Sequence, residues 1–106
     1  MEIQKYLKNS DDKLYFAVDT GKIDKYAFNT VKKRLDQANN LVERYMSKEI
    51  DMVTFNQKLI NLNDYFVDYS AIASQGTILK RLLMELSTAI INYARVNLDV
   101  IQMLNE

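Results

Sequence analysis

From Ile78 to Leu104 apolar side chains recur every three or four positions, with no proline or glycine to interrupt them. Such a run predicts one helix of ~40 Å at about 1.5 Å per residue. A helix of that length cannot hide its own apolar face, so the rest of the chain has to lie alongside it. The rest is also built for helices. The whole chain contains no proline and two glycines, Gly21 and Gly76, which leaves room only for very short turns.

Two segments share one pattern. Ile23-Asp24-Lys25-Tyr26-Ala27-Phe28-Asn29 and Ile50-Asp51-Met52-Val53-Thr54-Phe55-Asn56 both read Ile-Asp-x-x-x-Phe-Asn. With each Asp as an N-cap, its carboxylate accepts bonds from the free N–H groups of the first turn. Each Ile and Phe then take the two positions of a hydrophobic staple. Neither segment has the alternating oxygen ligands or central glycine of a calcium-binding loop.

Behind Asp24, Phe28, Val31, Leu35, Ala38, Val42 and Tyr45 define one helical face, and behind Asp51 so do Phe55, Leu59, Leu62, Phe66, Tyr69 and Ala73. Gly76 suits a left-handed C′ position, with Thr77 as the next cap. Before Gly21, Ile3, Leu7, Ser10, Leu14 and Ala17 or Val18 keep the period. Asn9-Ser10-Asp11-Asp12 competes with the backbone there, so one helix and two short ones are both open. The expected fold is all-α: a single domain, 1–106, folded as an antiparallel up-down-up-down four-helix bundle. Its approximate helices are 2–20, 24–48, 51–75 and 77–105. A three-helix bundle with an N-terminal arm is the other arrangement.

Composition removes most chemistry. There is no cysteine and no histidine, so disulfides, thiolate metal sites and the commonest general base and metal ligand are absent. Glu43, Asp68, Glu85 and Asp99 read as members of polar stripes, with Arg81/Glu85 and Arg95/Asp99 as helical i,i+4 pairs. No phosphate loop, nucleophile elbow or metal spacing occurs. The expectation is a protein that is not an enzyme, with no catalytic, cofactor-binding or metal residues, no cofactor and no small-molecule substrate.

Fourteen basic and fourteen acidic residues cancel, where a phosphate-gripping protein usually carries a basic excess. The run Lys32-Lys33-Arg34 spreads over most of a helical turn. Nucleic-acid binding through Lys22, Lys25, Lys32, Lys33 and Arg34 is therefore an alternative, not the main reading. No stretch is long and apolar enough for a transmembrane segment, and the N-terminus shows no secretory h-region, which gives a cytoplasmic expectation. Abundant Asn, Lys, Ile and Tyr point to an AT-rich bacterial or phage source. Of the seven tyrosines, Tyr45, Tyr69 and Tyr93 fall at core-type positions with hydroxyls toward the bundle edge.

The last helix stands out. Leu79, Leu83, Leu86, Ile90, Tyr93, Ile101 and Leu104 form the middle of its apolar face. One flank adds Leu82, Ala89, Val96 and Met103, and the other adds Met84, Ile91 and Leu98. The apolar arc covers about 240° at 100° per residue, more than a helix with two neighbours needs. The polar remainder is Arg81, Glu85, Thr88, Asn92, Arg95, Asp99 and Gln102. One exposed flank meeting a second molecule is the favoured explanation. Asn97, polar within the apolar face, either fixes a register or sits half-exposed near the helix end.

The expected role is a protein–protein interaction module, self-associating as a homodimer or binding a partner protein, possible roles for such a bundle being inhibitor or adaptor. In length and helix arrangement the bundle is similar to bacteriocin immunity proteins. That resemblance is one of architecture and implies an immunity role as a further alternative.

Overall fold

A computed structural model describes residues 2–72 and 76–105. Four helices follow one another: α1 (Glu2–Asp19), α2 (Lys25–Met46), α3 (Met52–Ile72) and α4 (Gly76–Leu104). No strand occurs among the described residues. Ala73, expected on the α3 face, lies outside the described residues, as do 74 and 75.

Both aspartate caps form. The Asp24 carboxylate accepts from the Ala27 N–H at 2.8 Å, and the Asp51 carboxylate from the Thr54 N–H at 2.8 Å. Ile23 and Phe55 are buried and Phe28 and Ile50 half-buried, so the staple residues turn toward the core. The ends of α1 and α2 are built alike. Gly21, at φ +72°, donates to Val18, and Lys22 donates back to Ala17. Lys48, at φ +64°, donates to Tyr45, and Glu49 donates back to Arg44. These are Schellman turns, and they stop α2 at Met46, two residues before the expected 48. Gly76 has φ +81° as the first residue of α4. Thr77 is thus inside the helix and not its cap.

The doubtful N-terminal stretch is one helix. Ser10 turns inward and is buried, Asn9 and Asp12 face water, and Asp11 is held by Lys32 of α2 at 2.7 Å.

Each helix packs beside its neighbours in sequence, and α1 and α4 close the ring. Pairs that bridge the helices show that every neighbouring pair is antiparallel. Lys32 meets Asp11, and Phe28 meets Tyr15, across α1 and α2. Tyr45 stacks on Phe55, and Arg34 lies over Tyr65, across α2 and α3. Asn97 bonds to Asn56, and Ser70 to Met84, across α3 and α4. Lys13 pairs with Glu85 across α1 and α4, so Glu85 bridges two helices instead of taking Arg81 as its i,i+4 partner. This is the up-down-up-down ring.

The core takes Ile3, Leu7 and Leu14 from α1, Val31, Leu35 and Ala38 from α2, Phe55, Leu59 and Phe66 from α3, and Leu79, Leu83 and Ile90 from α4. Burying each of the larger ones is worth about 1.5–3 kcal/mol. Tyr45, Tyr69 and Tyr93 are half-buried against it. Burial pushes the Tyr93 phenol up, with the neighbouring Asn97 amide acting the other way.

The molecule measures 50 × 25 × 17 Å, and α4 is the longest of its helices. With Lys13 beside Glu85, counting eleven residues along each antiparallel helix places Glu2 level with Val96. By the same count from Asn56 and Asn97, Met52 is level with Ile101. The end of α4 outruns both neighbours. Leu104, expected in the middle of the apolar face, is 79 % exposed for that reason, and Ile101 is only half-buried.

Candidate docking surface on helices α3 and α4

The two apolar flanks of α4 meet different surroundings. Leu82, Ala89, Val96 and Met103 look toward α1. Leu82 is buried and belongs to the core, and Ala89 is half-buried in the groove that α4 forms with Glu2 and Tyr6. Val96 and Met103 are exposed because α1 has run out beside them. This flank is closed along its first half, and its bare second half follows from helix length.

Met84, Ile91 and Leu98 look toward α3, and here α3 does not run out. Met84 and Leu98 are nevertheless 45 % and 43 % exposed, with Ile91 half-buried between them. The two flanks lie about 160° apart around the helix at 100° per residue, so one flat surface cannot cover both. The structure brings the seven residues together as two rows, not one patch.

The α3 side of the open row carries a matching row that the sequence reading did not single out. Val53, Ile60 and Val67 are also spaced by seven, and Val53 and Val67 are exposed while Ile60 is half-buried. The antiparallel register set by Asn56–Asn97 and Ser70–Met84 places Val53 level with Val100, Ile60 with Tyr93 and Val67 with Leu86, so the two rows run side by side, offset by about two residues. Six apolar side chains thus form one outward strip ~21 Å long, by the rise of two helical heptads.

Directly beneath the strip the seam between the helices is polar. Asn56, Asn63 and Ser70, again seven apart, are buried on α3, with Ser87 and Asn97 buried on α4. The Asn97 amide donates to the Asn56 carbonyl oxygen at 3.2 Å, and the Ser70 hydroxyl donates to the Val67 carbonyl at 2.7 Å. Asn97 therefore fixes a register inside the monomer, between α3 and α4, and is not half-exposed. This inverts the usual order. Polar groups occupy the inner seam of the helix pair and apolar groups its outer edge.

The polar face of α4, from Arg81 through Gln102, is exposed at all seven expected positions. Beside the strip, Asp64 and Asp68 stand on α3, and α4 carries both signs, Lys80 and Arg95 with Asp99, all exposed.

The basic residues of the other half are partly engaged. Lys32 bonds to Asp11 at 2.7 Å and to Asp36 at 3.1 Å, with its ammonium 5.3 Å from the Tyr15 ring centre. Desolvation lowers the affinity of that ammonium for its proton, but the two carboxylates together outweigh it and leave its pKa raised. Arg34 lies 4.0 Å from the centre of the Tyr65 ring and donates to Gln37. Lys22, Lys25 and Lys33 are exposed.

No group of three or more candidate metal ligands occurs among the described residues. No helix there is long and apolar enough to cross a membrane. Fold and surface together define an all-α four-helix protein with an outward apolar strip on one helix pair. Comparison with protein families, with curated proteins and with solved structures finds no match.

Proposed function

We propose that this chain is a non-enzymatic protein-docking module and that the outer strip of α3 and α4 is its contact surface. One observation supports the reading above the others: two heptad-spaced apolar rows, four of their six side chains exposed and two half-buried, lie along the outer edge of a helix pair whose inner seam is polar. A monomer with no partner has no use for that arrangement, because swapping the two rows would bury the apolar one and free the amides. The occupant is a protein surface with an apolar centre, as in the middle of other protein–protein interfaces. An inhibitor or adaptor in a bacterial or phage cytoplasm would work in this way.

The test is site-specific photo-crosslinking in the cells that express the chain. A photoreactive residue at Met84 or Leu98 is expected to give discrete protein adducts, with the same residue at exposed Lys33 as the control. Adding Ile91→Lys to the Met84 or Leu98 probe is expected to abolish them. Absence of adducts at the strip, or adducts indifferent to Ile91→Lys, overturns the reading.

A further inference from the structure

We infer that the cavity between the end of α1 and the start of α4 is a binding site for a small apolar anion, a ring system that carries a carboxylate. The site stands apart from the docking strip, on the opposite flank of α4. The cavity encloses about 500 Å³, within the usual span of small-ligand pockets. Its floor is Ala17 and Leu82, both almost wholly buried, and its walls are Phe16 and Ile78, which are 68 % and 44 % exposed. By the antiparallel count from Lys13 and Glu85, Phe16 is level with Leu82 and Thr20 with Ile78. The two large side chains thus stand on opposite helices about one turn apart, with the buried pair below them. A flat apolar ring laid there covers both walls and meets the Phe16 ring in an ordinary aromatic contact.

The charges around this apolar bed select the sign of the ligand. Lys13, Lys22 and Arg81 line the cavity together with Asp12 and Glu85. Lys13 and Glu85 are bonded to each other at 2.8 Å and cancel. With Glu85 taken by Lys13, Arg81 is left without its i,i+4 partner. Neither Arg81 nor Lys22 takes part in an ion pair among the described residues. The acids nearest to Lys22 in sequence, Asp19 and Asp24, do not line the cavity. Asp12 is the remaining acid, and it is level with Leu86, ~7.5 Å of helix beyond Arg81. The two cations therefore stand at the end of the cavity nearest the α1–α2 turn, close in height to Phe16 and Ile78, and the acid stands at the other end.

A guanidinium offers a planar fork that fits a carboxylate through two N–H donors, and the ammonium beside it adds a second charge. A ring that rests on Phe16 and Ile78 and turns its carboxylate to Arg81 and Lys22 satisfies both parts of the site at once. A cation of the same shape meets two like charges there.

Amide NMR titration of the full chain with naphthylacetate reads both affinity and place. One-to-one binding is expected with a Kd on the order of 0.1 mM, the strength of a ligand of this size in an open cavity. Shifts are expected at Phe16, Lys22, Ile78 and Arg81, and not at Ile60 or Leu98 of the strip. Naphthylethylammonium, the same ring with the opposite charge, is expected to bind about tenfold more weakly or worse. Lys22→Gln/Arg81→Gln is expected to weaken naphthylacetate about tenfold and not to weaken naphthylethylammonium. Both side chains are exposed, so the fold is expected to survive. Should this variant lose its helical circular dichroism, Arg81→Gln alone replaces it, with a few-fold loss expected. Ile91→Lys is expected to bind naphthylacetate as wild type does. No binding of naphthylacetate up to about 5 mM overturns the inference. So do equal affinities for the two rings, a charge-neutralised variant that binds naphthylacetate as wild type does, and shifts confined to the strip or lost in Ile91→Lys. The docking reading is decided separately, by the crosslinking experiment.

Discussion

Asn97 of α4 donates its side-chain amide to the carbonyl oxygen of Asn56 of α3 at 3.2 Å, with both side chains almost wholly buried. The bond fixes the register of the two helices, and that register sets the two outer apolar rows side by side. Asn97→Leu is expected to destabilise the fold by about 1–3 kcal/mol, because the Asn56 amide then loses its partner inside the protein. The double variant Asn56→Leu/Asn97→Leu is expected to recover much of the loss. Urea unfolding of the four chains gives the coupling as a double-mutant cycle, and additive losses would mean that the bond carries no register information.

Lys48 holds a left-handed conformation at φ 64° that glycine adopts without strain. Lys48→Gly is expected to raise stability by about 1 kcal/mol, a rise in melting temperature of about 4–8 °C for a domain of this size. The side chain is exposed, so no packing is lost. A lowered melting temperature would contradict the account of this turn.

The Asp51 carboxylate is held below its ordinary range, mainly by the Thr54 backbone N–H and next by the Thr54 side chain. A depressed folded-state pKa means stability that is present above the unfolded value and lost as pH falls through the folded one. Asp51→Ala is therefore expected to lower the melting temperature at neutral pH. The gap between the two chains should close in acid, below the ordinary carboxylate range near 3.8. A gap that persists there would show the loss to come from something other than the charged cap.

Lys32 and Lys33 are adjacent and look alike in sequence, yet they do different things. Lys32→Ala strands Asp11 in a half-buried position, and a loss of about 1 kcal/mol is expected on chemical unfolding. Lys33 is exposed, so Lys33→Ala is expected to leave the midpoint unchanged. Equal effects would remove the distinction.

The helices were legible because their signals are local. Asp24 and Asp51 cap within three residues of themselves, and the apolar steps of α2 and α4 need no knowledge of the rest of the chain. The wide apolar arc of α4 was legible for the same reason. What it meets was not. Leu82 and Leu98 look equivalent on a helical projection, and only the placement of α1 and α3 makes one core and the other surface. Leu104 was misplaced because the lengths of neighbouring helices enter only through packing. The α3 row went unnoticed because Val53, Ile60 and Val67 stand beside the buried Asn56, Asn63 and Ser70, so polarity alone assigns inside and outside the wrong way round. The signal that would have found it is the shared spacing of seven, once α3 and α4 are set antiparallel.

The claim on which the rest stands is that the outer rows are surface held for contact and not part of the fold. Equilibrium urea unfolding of Ile91→Lys under dilute conditions addresses it most directly. A lysine there can extend its ammonium into water, so full helicity and a stability within about 1 kcal/mol of wild type are predicted. A loss of roughly 3 kcal/mol or more, the scale of a charge forced into a core, would contradict it.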